Sequence, residues 1–364
     1  MNNTELQSDL LAWYDEHKRE MPCRDCGDPY KIWLSEIMLQ QTRVDQATPY
    51  FNRFIERFPT VYDLADADQQ EVLKVWEGLG YYSRARHLHD AAQLVVEEFD
   101  GSVPDTWDEI TELKGVGPYT ASAILSIAFQ KKYAVVDGNV IRVLSRYLGI
   151  EDDVRATKTK NAIQDAADEL ISDDRPGDFN QALMELGATI CTPSSPDCET
   201  CPIQGNCVAR KTMKTEEIPY KSPKKKRPHH QIGVGIVMND DEEVLIALRP
   251  EDAMLGGMWE FPGGKQEEDE EMEQTVVREL KEELGIDIAI TKPFMKLDHA
   301  YSHFKITMHA YLCELQNGKP KPQSSQEIRW ISIDELADYP FPKANRKLTD
   351  KLMNLDKGQQ ELEI

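Results

Sequence analysis

The stretch Leu113–Arg142, LKGVGPYTASAILSIAFQKKYAVVDGNVIR, decides how the remainder of the chain is to be understood. It predicts a helix end, a tight Gly-Val-Gly turn, a second helix, a loop, and then Asp137 ahead of a third helix over Val140–Leu148. Gly115 and Gly117 permit positive φ and close backbone approach, and Pro118 suits the first turn of the helix that follows. The run Ala121–Phe129 is apolar enough to be buried. A glycine-rich turn that opens a helix leaves backbone N–H groups pointing outward, where a phosphate oxygen can sit. The same turn also serves plain helix packing, and Asp137 has an ordinary role open to it as an N-cap.

Upstream, Ile32–Thr42 reads IWLSEIMLQQT, an apolar helix with one acid, Glu36. At helical spacing its neighbours are Ile32, Trp33, Leu39 and Gln40. A carboxyl so placed loses water, its pKa rises, and it can hold a proton near neutrality; on a solvated edge it would do nothing of the kind. Residues 43–112 read as mainly helical. Within them GLGYYSRARHLH (78–89) sets Tyr81 and Tyr82 beside Arg84 and Arg86, a combination that suits stacking and phosphate contact but also fits a core. The chain starts with an amphipathic helix carrying Leu6, Leu10, Leu11 and Tyr14. The turn MPCRDCGDP follows, and its lone Cys23-x-x-Cys26 reads as incidental.

Downstream, Cys191-x6-Cys198-x2-Cys201-x5-Cys207 places four thiols in 17 residues, with Pro193, Pro196 and Pro202 imposing loop geometry. That spacing predicts a metal site, either tetrahedral zinc or a [4Fe–4S] cluster. Residues 216–228, EEIPYKSPKKKRP, read as an exposed linker with a basic run at Lys221, Lys224, Lys225, Lys226 and Arg227. From 229 the pattern turns to short strands: QIGVGIVMND, EEVLIALRP, FKITMHAYLCEL and EIRWISI. Between them lies Gly264-x5-Glu270-x7-Arg278-Glu279-Leu280-x-Glu282-Glu283-x-Gly285-Ile286, which resembles a complete Nudix box. Its spacing puts Glu279, Glu282 and Glu283 on one helix face, a set of hard oxygen ligands that suits Mg²⁺ bound with a diphosphate.

Sixty-five acids against 42 bases give a net charge of −23. A nucleic-acid partner therefore requires the bases to be concentrated on one face. No apolar run approaches the roughly 18–20 residues of a membrane span, and the polar N-terminus does not read as a signal peptide. Seven cysteines, unevenly clustered, favour reduced thiols and a metal site over disulfides.

The segment L-x-G-V-G-x-x-T-A followed by V-D-x-N-V resembles the helix-hairpin-helix of base-excision DNA glycosylases, and the four-cysteine spacing resembles their iron–sulfur loop. With the C-terminal Nudix box, the motif order resembles the adenine DNA glycosylases of the MutY family over nearly the whole chain. The resemblance implies a multidomain protein: an all-α helix-hairpin-helix glycosylase with a [4Fe–4S] loop, plus an α+β Nudix-like C-terminal domain. The implied partition is 1–28 with 138–215 around the cluster, 29–137 with the hairpin, the linker 216–228, and 229–364 for 8-oxoguanine recognition. It implies removal of adenine mispaired with 8-oxoguanine or guanine in double-stranded DNA, by a monomer in the cytoplasm at the nucleoid.

By position, Glu36 matches the acid that protonates adenine and later activates water. Asp137 matches the carboxylate that stabilises the cationic sugar, and Asn139 the amide beside it. Tyr119 stands where strand-cleaving relatives carry Lys, which implies a monofunctional enzyme. Leu39, Gln41, Thr42 and Tyr81 match positions that wedge into the duplex or meet 8-oxoguanine; Gly115 and Gly117 belong to the hairpin; Arg24 and Gln181 fall near the adenine pocket. Tyr301, Ser302 and His303 resemble a loop that reads 8-oxoguanine, with Tyr for Phe. Cys191, Cys198, Cys201 and Cys207 match the cluster ligands. Two departures stand out: Cys23 replaces a usual Trp, and the Nudix box is more complete than recognition needs. Competing expectations are a nucleotide pyrophosphohydrolase led by the C-terminal domain, with Mg²⁺ at Glu279, Glu282 and Glu283, and an endonuclease III-like glycosylase/lyase.

Overall fold

Among the described residues, fourteen α-helices and seven strands follow from local signals that are mostly visible in the sequence. The computed structural model describes residues 3–223, 226–301 and 303–360, with side chains as far as 355. Lys224, Lys225 and Ser302, singled out above, lie outside the described residues. The chain divides into two compact units, 1–66 with 87–224, and 67–86 with 225–364.

The first unit is helical. It contains α1 (Asn3–His17), α2 (Pro29–Leu39), α3 (Val44–Arg57) and α4 (Val61–Ala65). The chain returns to it, after α5 (Gln69–Trp76), within α6 (Ser83–Phe99). It continues with α7 (Trp107–Glu112), α8 (Pro118–Phe129), α9 (Gly138–Leu148), α10 (Thr157–Leu170), α11 (Pro176–Thr189) and the short α12 (Val208–Lys211). Helix α2 starts where Asp28 accepts hydrogen bonds from Tyr30 N–H (3.0 Å) and Lys31 N–H (3.3 Å), with Pro29 in the first turn. It is apolar nearly all round, so Tyr30 and Ile32–Met38 are all buried. Trp33, Leu34 and Ile37 each contribute roughly 1.5–3 kcal/mol by leaving water. A separate core joins Leu6, Leu10 and Tyr14 of α1 to Val140, Leu144, Ile163, Phe179 and Leu186 of α9, α10 and α11.

The predicted turn between α7 and α8 is present. Gly115 has φ +80°, and a Cβ there would meet His87 Cβ at 3.0 Å. Gly117 differs from expectation: its φ of −88° is ordinary, and it acts as the extended N-cap residue of α8. Helix α9 begins two residues earlier than expected, because Asp137 caps it.

The second unit is built on one seven-stranded sheet. Its strands are β1 (His229–Met238), β2 (Val244–Leu248), β3 (Trp259–Glu260), β4 (Gly263–Lys265), β5 (Asp287–Ala300), β6 (Lys305–Asn317) and β7 (Glu327–Ile331). The order is β3-β2-β1-β6-β5, with β4 also on β1 and β7 on β2. Strands β1 and β6 run parallel, from His229 opposite Lys305 to Met238 opposite Glu314. The long β5 was not predicted from the pattern: Pro293 and three register shifts against β6 break its alternation. Helix α13 (Met272–Leu284) covers one face. It seats closely because Gly233 and Gly235 have no side chains; a Cβ at either would come within 2.8 Å of Val276 or Leu280. Helix α14 (Lys343–Gln360) brings Ala344, Leu348 and Leu352 to the other core. Residues 67–86 belong here through hydrogen bonds to the sheet and its loops, although the sequence pattern places them in the helical half.

Candidate active site and cysteine loop

Helices α2, α8 and α9 supply the chemistry-bearing side chains of the first unit. Glu36, in the middle of α2, is 9% exposed. Burial first, and then the neighbouring Asp137 carboxylate, raise its pKa to about 7, against the opposing pull of Arg24 and a hydrogen bond with Tyr119. Tyr119, on the first turn of α8, thus bonds the acid directly, and its hydroxyl also lies 3.6 Å from Met184 Sδ. Gln40 donates to Thr120 Oγ1 at 2.9 Å, which ties the end of α2 to the same turn of α8.

Asp137 is held from below. Its carboxylate accepts the N–H groups of Asn139 (2.9 Å) and Val140 (2.7 Å), and Asn139 Nδ2 donates to its other oxygen at 2.8 Å. Burial nevertheless raises its pKa above the usual carboxylate value. Arg142, one turn on, donates to Asn139 Oδ1 at 2.9 Å and to the Cys191 carbonyl at 2.7 Å.

A small cavity beside Glu36 is lined by Cys23, Arg24, Ser35, Ile127 and Gln181. The expected trio Arg24, Glu36 and Gln181 is therefore brought together. Arg24 pairs with the buried Glu185 at 2.8 Å, and its Nε is buried without a hydrogen-bond partner among the described residues. Burial pushes the Glu185 carboxyl up, but Arg19 and Arg24 outweigh it and bring its pKa below the usual value. Cys23 and Cys26 are joined as a disulfide, contrary to the expectation of reduced, incidental thiols. A sequence separation of three lets a turn bring two cysteines together whatever their surroundings.

Leu39 and Thr42 are half-buried at the end of α2, and Gln41 between them is exposed with φ +57°. Tyr81 is 39% exposed with φ +51°. Left-handed backbone at a non-glycine residue is strained, and such strain gathers at functional positions.

Cys191, Cys198, Cys201 and Cys207 line one cavity with Val143, Tyr147, Leu186 and Ile203. Arg146 donates to Cys191 Sγ at 3.4 Å and to the Thr192 carbonyl at 2.7 Å. Burial raises the thiols of Cys198 and Cys207 and pushes Cys201 up to about 12, so metal binding there must release protons. The buried Arg142 and Arg146 were not anticipated. Their signal is two bases at i and i+4 on a helix whose other buried residues include Val140, Val143, Leu144 and Tyr147.

In the second unit, Tyr301 lies half-buried between β5 and β6, its ring 4.6 Å from that of His299 and 5.1 Å from that of Phe304. Burial pushes its hydroxyl up to about 12. His303 is exposed. The three Nudix carboxylates have protein partners. Arg278 pairs with Glu279 and Glu282 at 3.0 Å and with Glu270 at 2.6 Å. Glu283 instead accepts the Gly263 N–H at 3.1 Å, and burial beside Glu260 raises its pKa to about 7. Among the described residues, no group of three or more His, Cys, Asp or Glu is arranged to hold a metal ion.

Residues 34–171 match the family described as HhH-GPD superfamily base excision DNA repair protein, residues 191–207 the iron–sulfur binding domain of endonuclease III, and residues 233–351 the NUDIX domain. Human adenine DNA glycosylase is 33% identical over 400 residues, covering 95% of this chain and 73% of that protein. The adenine DNA glycosylase of Buchnera aphidicola subsp. Acyrthosiphon pisum is 33% identical over 342 residues, covering 94% and 95%. Among solved structures, a thermostable thymine-DNA glycosylase matches with a TM-score of 0.52 at 30% identity, over 58% of this chain and 97% of that one. A buried acid and a capped aspartate on a helix-hairpin-helix frame, four cysteines in an iron–sulfur loop and relatives of one activity along nearly the whole chain lead to one conclusion: the chain belongs to the adenine DNA glycosylase family, the MutY family of base-excision repair enzymes.

Proposed function

We propose that this adenine DNA glycosylase acts on adenine opposite 8-oxoguanine, and more weakly opposite guanine, by acid-assisted hydrolysis that leaves the strand uncut. The observation that carries it is Glu36: a carboxyl with a pKa raised to about 7, on the wall of a cavity that also holds Arg24 and Gln181. Adenine must leave the duplex stack to reach that cavity. Arg24 Nε, buried and without a hydrogen-bond partner among the described residues, is a donor left over for the base. The neutral Glu36 gives its proton to the departing adenine as the C1′–N bond breaks. The sugar then carries positive charge, and Asp137 faces it as the stabilising anion, held by Asn139 and the start of α9. The ionised Glu36 finally takes a proton from the attacking water.

Tyr119 contributes a hydroxyl to Glu36 and offers no amine for a Schiff base, which supports the monofunctional reading. Leu39, Gln41, Thr42 and Tyr81 would enter or brace the duplex, with the hairpin at Gly115 and Gly117 on a phosphate. The iron–sulfur loop would hold a [4Fe–4S] cluster through Cys191, Cys198, Cys201 and Cys207, a structural group that supplies no step of the hydrolysis. Cys191, Cys198, Cys201 and Cys207 line one cavity, and four thiolate donors of this kind would suit an iron–sulfur cluster. Functionally, we assign 1–28 with 138–215 to cluster binding, 29–137 to the hairpin, 216–228 to a linker, and 229–364 to reading 8-oxoguanine through Tyr301–His303. The Nudix helix serves the fold in this reading. The enzyme would work as a monomer in the cytoplasm. Among the described residues no helix is long and apolar enough to cross a membrane.

Glu36→Gln tests the proposal. The amide keeps the shape and cannot supply the proton, so adenine release in a single turnover should drop by about 10²–10⁴. Duplex affinity should stay within about tenfold, since uncharged shape is retained. Near-normal release by the variant removes Glu36 from the mechanism.

A further inference from the structure

Tyr81, which the resemblance implies wedges into the duplex or meets 8-oxoguanine, and Tyr301, in the loop it implies reads that base, stand 220 positions apart and fall in the same compact unit. The segment carrying Tyr81 is tied to the C-terminal sheet by a chain of specific bonds. Gln70 on α5 accepts from the Trp259 indole at 3.0 Å and donates to the Gly257 carbonyl at 2.9 Å. Lys74 donates to the Tyr339 carbonyl at 3.0 Å. Glu77, just past the end of α5, accepts the Phe341 backbone N–H at 2.9 Å and lies 3.6 Å from Arg346. Trp259 and Phe341 are themselves buried in the sheet's core, so these partners are fixed points.

The turn from Gly78 to Tyr82 is braced from the same helix. The Trp76 indole donates to the Gly80 carbonyl at 3.1 Å, and the Tyr82 hydroxyl receives the Gly78 N–H at 3.1 Å. The buried Arg84 guanidinium lies 5.3 Å from both the Trp76 and Tyr81 rings, within cation–π range of each, and donates to the Gly80 carbonyl at 3.1 Å. An exposed aromatic in left-handed backbone thus has a continuous support reaching to the C-terminal core.

We infer that Gln70 and Glu77 are positioning residues for lesion discrimination: they make the C-terminal domain the holder of Tyr81, so that this domain acts on mispair choice through α5 as well as through its own loop. The inference rests on the reading of Tyr81 as a contact to 8-oxoguanine. The partners shown for Gln70 and Glu77 include neither Glu36 nor Asp137, and the inference gives these two residues no part in base release itself.

The test is single-turnover adenine release by the full chain from duplexes with adenine opposite 8-oxoguanine or opposite guanine, comparing wild type with Gln70→Ala, Glu77→Ala, Glu77→Gln, Tyr81→Ala and Gln70→Ala/Tyr81→Ala. Gln70→Ala and Glu77→Ala should each lower the preference for the 8-oxoguanine duplex by roughly three- to tenfold, a coupling of ordinary size for residues in one network. Glu77→Gln keeps an oxygen for the Phe341 N–H and should recover most of it. The double variant should discriminate no worse than Tyr81→Ala alone. An unchanged preference in Gln70→Ala and Glu77→Ala, with a lowered one in Tyr81→Ala, overturns the positioning role and leaves Tyr81 as the contact. Equal slowing on both duplexes also overturns it, because that marks mere structural damage. An unchanged preference in Tyr81→Ala defeats the reading of Tyr81 itself, and the inference falls with it. Should Glu77→Ala not fold, the Gln70 variants alone decide, since Gln70 is only half-buried.

Discussion

Glu36 holds its proton because α2 leaves it almost no water and Asp137 adds a second negative charge. The unfolded carboxyl ionises near 4.5 and the folded one near 7, so between those values the folded chain binds the extra proton. Stability therefore falls as pH rises through that window, and the loss is complete above it, on the order of 3 kcal/mol. Glu36→Gln removes the penalty. The variant should match wild type in denaturant unfolding near pH 4.5 and exceed it at pH 8; equal midpoints at both values would contradict the buried acid. Tyr119 gives a second expectation at this scale. Wild type should form no borohydride-trapped adduct with DNA, whereas Tyr119→Lys should gain some, because its side chain sits against the acid. Efficient trapping by wild type would show a lysine nucleophile elsewhere. Glu36 and Asp137 were legible from their local sequence because each sits at one end or in the middle of a strongly patterned helix. The partnership of Arg24 with Glu185 was not, since those residues are 161 positions apart.

Among the elements, α2, α8 and α9 could be read from Pro at the first turn, apolar runs and the Asp137 cap. Strand β5 could not, because its bulges and Pro293 hide the period of two. In the Nudix helix α13, spacing and side-chain partners pull apart. Its i, i+3 spacing puts Glu279 and Glu282 on one face, but Arg278 pairs with both, and a Cβ on Gly264 would meet the Glu279 carboxyl carbon at 2.3 Å. Glu279 is thus packed against the strand as part of the fold. Glu282→Gln should leave adenine release unchanged, and neither protein should liberate pyrophosphate or phosphate from 8-oxo-dGTP with Mg²⁺. Such release by wild type, lost in the variant, would make the protein bifunctional.

For the whole molecule, the order of hairpin, cysteine loop and Nudix box was visible in the sequence because each is a local motif. The assignment of 67–86 to the C-terminal unit was not, since it depends on side chains such as Gln70 and Glu77 meeting partners more than 180 positions away. The net charge of −23 also does not reveal where the bases lie. Substrate choice belongs to this scale, because the proposed function draws on residues from both compact units. The most direct measurement is single-turnover base release from duplexes carrying A, C or T opposite 8-oxoguanine. The account predicts release of adenine alone, with the strand intact until alkali is added. Release of cytosine or thymine at a rate equal to or above that of adenine would contradict it.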